Sequence, residues 1–354
     1  MTATPVDVPM ARPLGTSAQT IRRAPLLLID LLTEEGVTGR SYLFCYLPVA
    51  AVATAKVLEE AAAQIRGMRA APAEIGARLA RHFRLLGVRG IVSMALAGID
   101  MALWDALAVA AGMPLATLLG GAPKAIPAYN SNGLGLMDPA AAADEAEALV
   151  GEGFRAVKLR LGRPSAADDL AALRAVRKRL ADDVRLMVDF NQVLPLVEAR
   201  RRGRMIDGEG VYWIEEPIRH DDYTGCAALA RELETPIQIG ENFAGPRAMS
   251  AAIEAGASDF MMPDLERIGG VSGWREAAAL ADVASIEISS HLFPEASAHV
   301  LAASPTAHWL EYVDWAAPIL AEPLRIVGGA AKIRDVPGTG LTWNEEAVAR
   351  YRMA

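Results

Sequence analysis

Residues 156–162 read AVKLRLG, a short apolar segment in which two cations, Lys158 and Arg160, stand two positions apart. Side chains two apart on a β-strand point to the same side, so both charges would project from one face of an otherwise buried strand. Charges are rarely buried without a partner. The segment therefore predicts a buried strand whose inner face carries two cations into a polar site.

Seven other short apolar segments follow the same pattern, and amphipathic, Ala-rich stretches typical of helices separate them. The eight segments are 126–131, 156–161, 185–190, 211–216, 236–241, 259–264, 286–291 and 307–311. Eight strand–helix units over roughly two hundred residues match an α/β fold of the (β/α)8 type, the TIM barrel. A doubly wound open sheet would require a G-x-G-x-x-G turn, and NGLGLM (132–137) lacks that spacing. The barrel is therefore the predicted fold.

The regions on either side of the barrel have a different pattern. Residues 24–47 contain two strand-like apolar runs. Helical patterns follow over 51–67, 74–84 and 93–111. We predict an N-terminal α+β capping domain with a substrate lid, a barrel catalytic domain, and a C-terminal segment that packs back on the capping domain. Their bounds are 1–120, 121–321 and 322–354.

Composition excludes several classes of protein. The chain has 354 residues and a net charge of −8, so it lacks the basic surface typical of nucleic-acid binding. Its two cysteines are too few for a disulfide framework and fit a reducing compartment. We find no signal-peptide core and no uncharged stretch of transmembrane length. A cytoplasmic protein with neither a nucleic-acid nor a membrane partner is expected.

Three carboxylates close three consecutive predicted strands. Asp189, Glu215 and Glu241 are spaced 26 residues apart (215 − 189 and 241 − 215). Neighbouring strands lie about 5 Å apart, so these carboxylates would repel one another unless a cation lay between them. One such residue alone is more simply explained as a helix cap, whereas three at matching positions favour a metal site. Oxygen ligands of this kind suit Mg²⁺.

Polar residues also close the last three predicted strands. Asp264 and His291 end the sixth and seventh, which permits a hydrogen bond that orients the imidazole as an acid/base. A satisfied core histidine is the simpler explanation of a lone His, but a neighbouring Asp at a barrel mouth favours catalysis. Glu311 ends the eighth strand, where a protonated carboxyl would donate a hydrogen bond to a developing oxyanion.

Ten motifs spread over nearly the whole chain point to one family. They are SYLFCYLPVA, AGIDMALWDAL, FRAVKLRLG, MVDFNQ, WIEEP, GENF, MPDLERIGGVSGW, SSHLFPEASAH, PTAHWLE and DVPGTGLTW. On these motifs the chain resembles the mandelate racemase/muconate lactonizing enzyme family of the enolase superfamily. The resemblance implies a homo-oligomeric enzyme, with one Mg²⁺ per subunit, that removes the proton α to the carboxylate of a 2-hydroxy acid through a metal-stabilised enediolate.

The resemblance also implies a role for each site residue. Asp189, Glu215 and Glu241 would bind Mg²⁺. Lys158 would neutralise the substrate carboxylate, and His291 with Asp264 would be an acid/base. Glu311 would protonate or hydrogen-bond the enediolate. Ser131, Asn191 and Tyr46 would contact the substrate. His299 and His308 lie off the strand ends and are predicted to be structural.

Two departures from the family bear on the reaction. The racemase that gives the family its name has a lysine, its second base, where this chain has Arg160. An arginine is effectively always charged, so Arg160 favours a one-base dehydration of an acid sugar, with racemisation of mandelate or a related 2-hydroxy acid as the alternative. The lid stretch 12–25 is polar, which suits a polyhydroxy substrate, whereas Phe44, Tyr46 and Leu47 suit an apolar one. A non-catalytic carboxylate-binding protein would be expected to lack a metal carboxylate or His291, and neither is missing.

Overall fold

The N-terminal region is an antiparallel three-stranded sheet followed by helices, in a computed structural model that describes residues 1–17 and 19–353. Its elements are β1 (Thr2–Gly15), β2 (Thr20–Leu32), β3 (Thr38–Phe44), α1 (Pro48–Ile65), α2 (Pro72–His82), α3 (Ile91–Ala110) and α4 (Leu115–Leu118). The sequence did not indicate β1, because Pro5, Pro9 and Pro13 interrupt its pattern. β1 lies at the edge of this sheet, beside β2, and an edge strand tolerates residues that cannot donate an N–H.

Eight parallel strands then form the predicted (β/α)8 barrel. They are β4 (Ala125–Asn130), β5 (Ala156–Arg160), β6 (Arg185–Asp189), β7 (Val211–Glu215), β8 (Ile237–Ile239), β9 (Phe260–Met261), β10 (Glu287–Ile288) and β11 (Leu310–Tyr312). Each of β5 to β10 pairs with the strand before it, and β11 pairs with β4. A parallel bridge between Ile288 and Ala307 closes the remaining gap. The strand ends named above therefore meet at one mouth.

Helices surround the barrel and cover its outward-facing apolar side chains. They are α5 (Pro139–Gly151), α6 (Ala166–Arg179), α7 (Leu196–Ile206), α8 (Tyr223–Glu232), α9 (Pro246–Ala255), α10 (Leu265–Ile268), α11 (Gly270–Ala284) and α12 (Pro294–Ala302). Inside, Tyr129, Ala156, Met187 and Trp213 form a buried cluster, in which the Tyr129 and Trp213 rings meet edge to face with centroids 5.4 Å apart. The barrel interior is thus packed rather than hollow, as is usual for this fold.

The C-terminal segment joins the barrel to the capping sheet. It contains β12 (Arg325–Val327), β13 (Ala330–Lys332) and α13 (Glu345–Tyr351). β13 runs antiparallel to β4. The indole N–H of Trp343 donates to both Asp30 oxygens at 3.0 and 3.1 Å, and the Met353 N–H donates to the Pro5 carbonyl at 3.0 Å. Both ends of the chain therefore belong to the same region of the molecule.

Helix α3 is the core helix of the capping region. It is long and apolar enough to cross a membrane by length and composition, but 61% of that apolar window is buried inside the structure. It packs closely on the sheet because two glycines leave room for it. A Cβ at Gly98 would lie 2.5 Å from Ile29 Cδ1, and one at Gly39 would lie 2.0 Å from the Ala102 carbonyl oxygen. The burial is that of a core helix in a globular protein.

Candidate active site

Three carboxylates converge at the mouth of the barrel. Asp189 and Glu215 end β6 and β7 and are paired across the sheet, and one oxygen from each of these residues and from Glu241 lies within 4.8 Å of the others. Burial raises the pKa of Glu215 to about 8, and the neighbouring carboxylates add to the rise although Lys158 opposes it. The cluster is therefore costly to ionise without a cation, and its all-oxygen donor set fits Mg²⁺.

Lys158 provides one positive charge beneath this cluster. Its ammonium bonds Glu215, lies 2.9 Å from Glu311 Oε1 and lies 3.4 Å from Asp189 Oδ2. Burial would lower the pKa of Lys158, but the three carboxylates outweigh burial and raise it above its ordinary value. Lys158 is thus held as a cation. The anions that it faces in the free protein are these carboxylates.

Arg160 is also buried, but its partners are neutral. Its guanidinium donates to the carbonyls of Ser131 and Gly133 at 2.8 and 3.1 Å and to Ser131 Oγ at 2.9 Å, while Nε–H has no hydrogen-bond partner. Among the described residues, no carboxylate forms an ion pair with it. Three of the five guanidinium N–H groups are used. The remaining positive edge is left for an oxygen of a bound molecule.

His291 and Asp264 form the predicted pair. Nδ1 of His291 lies 2.6 Å from Asp264 Oδ2, while Asp264 Oδ1 accepts the backbone N–H of Glu266 at 2.7 Å. Nε2 lies 3.4 Å from Glu241 Oε2 and 3.8 Å from Glu311 Oε2, so it points toward the carboxylate cluster. Burial would lower the pKa of His291, but Glu241, Glu311 and Asp264 outweigh it and raise the pKa to about 10.

Glu311, for which the sequence predicts a protonated carboxyl, has two cations beside it. It lies between Lys158 and His291 and accepts the Leu292 N–H at 2.9 Å. Burial favours the neutral acid, yet the two cations outweigh burial and hold the pKa of Glu311 well below its usual range. The two cations therefore favour the carboxylate, and the predicted protonated carboxyl, which would donate to the oxyanion of a bound substrate, stays a prediction. The closeness of Lys158 is not revealed by strand position alone.

The three residues predicted to contact the substrate lie around the same mouth. Ser131 is buried and bonded to Arg160. The side-chain amide of Asn191 donates to Asp189 at 3.0 Å, which leaves its own carbonyl oxygen without a partner. Tyr46 has a φ of 60° and stacks on the guanidinium of Arg267 at 5.0 Å. Their contacts with substrate stay predictions.

The lid stretch 12–25 is the hairpin between β1 and β2, in which Ala18 lies outside the described residues. The Gly15 carbonyl accepts the Leu136 N–H at 3.0 Å, which brings the hairpin to the loop after β4. Two of its cations are already paired, Arg12 with Glu152 at 2.6 Å and Arg23 with Asp7 at 2.5 Å. These two arginines therefore add no free charge to a substrate pocket.

Sequence reasoning missed two buried residues that donate to the metal-site carboxylate Glu215, and a third, Glu216, that is joined to Glu241 through Asn242. Trp213 Nε1 and Gln238 Nε2 donate to Glu215 Oε2 at 3.2 and 3.3 Å. Glu216 accepts from the amide of Asn242, and burial raises its pKa well above its usual range. The sequence positions of Trp213 and Gln238 relative to Glu215 could have identified both of them. Trp213 is two residues before Glu215 on the same strand, and Gln238 pairs with Glu215 on the next one.

Two protein-family models match most of this chain. Residues 1–120 match the mandelate racemase/muconate lactonizing enzyme N-terminal domain, and residues 141–347 match the enolase C-terminal domain-like family. Among characterised relatives, the L-talarate/galactarate dehydratase of Salmonella typhimurium is 37% identical over 263 residues. That match covers 74% of this chain and 66% of the dehydratase, slightly less than two thirds of its length.

Two solved structures are similar over nearly the whole chain. An enolase from the alpha proteobacterium bal199, with bound Mg, has a TM-score of 0.97 and 47% sequence identity, covering 99% of this chain and 98% of the other. An enolase from Bradyrhizobium, complexed with magnesium and mandelic acid, has a TM-score of 0.94 and 45% identity, covering 100% and 97%. Both similar structures thus contain magnesium.

Proposed function

Because this chain belongs to the mandelate racemase/muconate lactonizing enzyme family of the enolase superfamily, we propose that it is a Mg²⁺-dependent acid-sugar dehydratase in which His291 is the base. Its substrate is a 2-hydroxycarboxylate with a hydroxyl on the next carbon. The relative named as an L-talarate/galactarate dehydratase supports this substrate class. Since relatives of the chain are named as enzymes, the non-catalytic alternative has no support.

The proposal rests on a difference between the basic residues on the two sides of the mouth, His291 on one side and Arg160 on the other. His291, oriented by Asp264, would take and return a proton at Nε2 once a cation offsets the charge of Glu241, which raises the pKa of the imidazole. Arg160 is buried three strands away around the barrel, and because arginine is the most basic side chain it is a poor second base. One titratable group is sufficient for dehydration, whereas racemisation by proton transfer across two faces needs two.

In the proposed dehydration, the residues at the mouth of the barrel have different roles. Lys158 neutralises the substrate carboxylate, and Ser131 and Arg160 hold substrate oxygens. Asp189, Glu215 and Glu241 would hold Mg²⁺, which would supply the positive charge that makes the α-proton of a bound carboxylate more acidic.

His291 takes the α-proton at Nε2 as the C–H bond breaks, and its Nδ1–H stays bonded to Asp264. The same proton then leaves with the neighbouring hydroxyl as water. The resulting enol tautomerises to a 2-keto-3-deoxy acid.

A mandelate-type racemase is the second candidate. The similar Bradyrhizobium enolase was solved with mandelic acid. In this chain the Tyr46 ring lies 4.4 Å from that of Phe44, which in turn lies 5.0 Å from that of Trp315, so an aromatic wall is present near the lid. An aryl substrate would suit that wall, but racemisation would still need a base on the Arg160 side.

The test is a screen of the purified protein with Mg²⁺ against an acid-sugar library and both mandelate enantiomers. Keto-acid formation and solvent-deuterium exchange are scored separately. We expect a keto acid from at least one acid sugar, and exchange on one enantiomer only of any accepted 2-hydroxy acid. Equal and fast exchange of both mandelate enantiomers, without keto acid from any sugar, would overturn the proposal in favour of the racemase.

A homo-oligomeric state and a cytoplasmic location stay predictions. Leu85 and Leu86, in the turn after α2, are 98% and 73% exposed, which is typical of surface that another subunit covers. Cys45 and Cys226 are free and buried, as suits a reducing compartment. Light scattering on the purified protein tests the first prediction.

A further inference from the structure

The one-turn helix α10 lies between the His291–Asp264 pair and the capping region. Asp264 caps it, because Oδ1 accepts the N–H groups of Glu266 and Arg267 at 2.7 and 3.2 Å. The other oxygen of Asp264 bonds His291. The side chains of Glu266 and Arg267 therefore start from a backbone that is fixed relative to the proposed base.

Arg267 reaches the metal-site carboxylates through a single amide. Its Nη1 donates to Asn242 Oδ1 at 2.6 Å. The Asn242 Nδ2 donates in turn to Glu241 Oε1 at 3.2 Å and to Glu216 Oε2 at 3.0 Å. Both ends of the Asn242 amide are thus occupied, and Arg267 and Glu241 are joined by two hydrogen bonds in series.

On its other side, helix α10 holds residues 44–46, which we call the second lid segment. Glu266 Oε2 accepts the Phe44 backbone N–H at 2.8 Å, and the Arg267 guanidinium lies 5.0 Å from the centre of the Tyr46 ring. Tyr46 has a φ of 60°, a backbone conformation that a non-glycine residue adopts at a cost. Phe44 and Cys45 are also held by strand β2, through the pairing of Phe44 with Leu26 and the bond of the Cys45 N–H to the Pro25 carbonyl, so the Arg267 contact is of most consequence at Tyr46.

We propose that Arg267 is a positioning residue that holds Tyr46 over the mouth and links the order of the second lid segment to the metal-site carboxylate Glu241. When the carboxylates are drawn together around a cation, Asn242 and Arg267 are held more tightly, and so is the Tyr46 ring. Only the assignment of Tyr46 as a wall of the substrate pocket rests on the proposed function. Substrate selection at this wall would then depend on Arg267, which itself need not touch the substrate.

The first test measures amide hydrogen exchange over 42–47, with and without Mg²⁺. Arg267→Met removes the guanidinium and keeps much of the stem, and Arg267→Lys restores a cation. Arg275→Met is the matched control, because Arg275 also stacks across the two regions, 5.2 Å from the Trp104 ring. We expect exchange on the order of tenfold faster in Arg267→Met, partial rescue in Arg267→Lys, and no change in Arg275→Met.

Mg²⁺ should slow exchange over 42–47 in the wild-type protein and fail to do so in Arg267→Met. Equal exchange in Arg267→Met and Arg275→Met, or an equal response to Mg²⁺ in Arg267→Met and wild type, would overturn the inference. This readout needs no turnover. A wild-type protein without acid-sugar activity but with the expected exchange would overturn the proposed function and leave the inference intact.

If the proposed activity is found, steady-state kinetics gives the second readout. Arg267→Met should raise KM on the order of tenfold while kcat changes by less than about threefold, because the base and its partner are untouched. Loss of kcat at unchanged KM would place Arg267 in the chemistry instead and overturn its positioning role.

Discussion

Arg160 is the residue on which the proposed choice between dehydration and racemisation rests. Its carbonyl and hydroxyl acceptors fix the guanidinium without neutralising it, in contrast to Lys158, which three carboxylates surround. A lysine has an ordinary pKa of about 10.4, which nearby cations and burial can lower, whereas arginine stays charged. The two cations of β5 therefore serve different purposes, although they lie on the same face of one strand.

Arg160→Lys should create a second base. We expect deuterium exchange from solvent to appear on the enantiomer that the wild-type protein leaves unexchanged, as followed by NMR on an accepted 2-hydroxy acid. Arg163→Lys is the control, because Arg163 is also buried but pairs with Asp169. Exchange that stays confined to one enantiomer in Arg160→Lys would show that residue 160 does not face the α-carbon.

His291→Asn should lower kcat by at least about a hundredfold, since it removes the only proposed proton carrier. Asp264→Asn should impair the enzyme severely as well, because the imidazole loses its orienting carboxylate. His308→Gln is the control, as His308 bonds Tyr212 at 2.8 Å. Circular dichroism checks that the folds match. Wild-type turnover by His291→Asn would make the histidine structural.

At the scale of elements, the barrel was predictable because each strand is a short apolar segment that ends in a polar residue. The positions of Asp189, Glu215, Asp264 and His291 follow from that rule alone. The contact of Glu311 with Lys158 does not, since these side chains lie on the eighth and second strands of the barrel and meet across the mouth. The sequence pattern did not predict strand β1, because prolines interrupt the apolar pattern of this edge strand.

Because two of the metal-site carboxylates end β6 and β7, we expect both the activity and the thermal stability of the protein to depend on Mg²⁺. EDTA should abolish activity and Mg²⁺ should restore it, and Mg²⁺ should raise the melting temperature of the wild-type protein. Glu215→Gln should lose both responses. Glu209→Gln is the control, because Glu209 precedes the same strand but pairs with Arg174 at 2.6 Å. Full activity in metal-free protein, checked by elemental analysis, would contradict the metal assignment.

At the scale of the whole molecule, His299 joins the barrel to the capping region. It lies on α12, is buried, and accepts the Ala116 N–H at 3.1 Å. Burial lowers the pKa of His299 to about 4. A charged imidazole there would lose this hydrogen bond inside an apolar interface, so the contact between the two regions depends on a neutral histidine.

This pKa predicts how stability depends on pH. The unfolded chain binds a proton at His299 below about pH 6.5, whereas the folded protein binds it only below about 4. The free energy of unfolding should therefore fall as the pH drops from 6.5 to 4, by about 3 kcal/mol from this residue. Urea denaturation at several pH values measures the slope, and His299→Gln should flatten it. Parallel slopes in the two proteins would contradict the assignment.

The hydrogen bond between Met353 and Pro5 has a consequence for how the protein is made. A ribosome releases the N-terminal sheet before the barrel, but the residues that bond to its edge emerge after the barrel. Strand β4 likewise waits for β11 and β13. The barrel must therefore stay open until β11 and β13 have emerged, and a premature stop near residue 340 would leave the edge of the first sheet without its C-terminal partner.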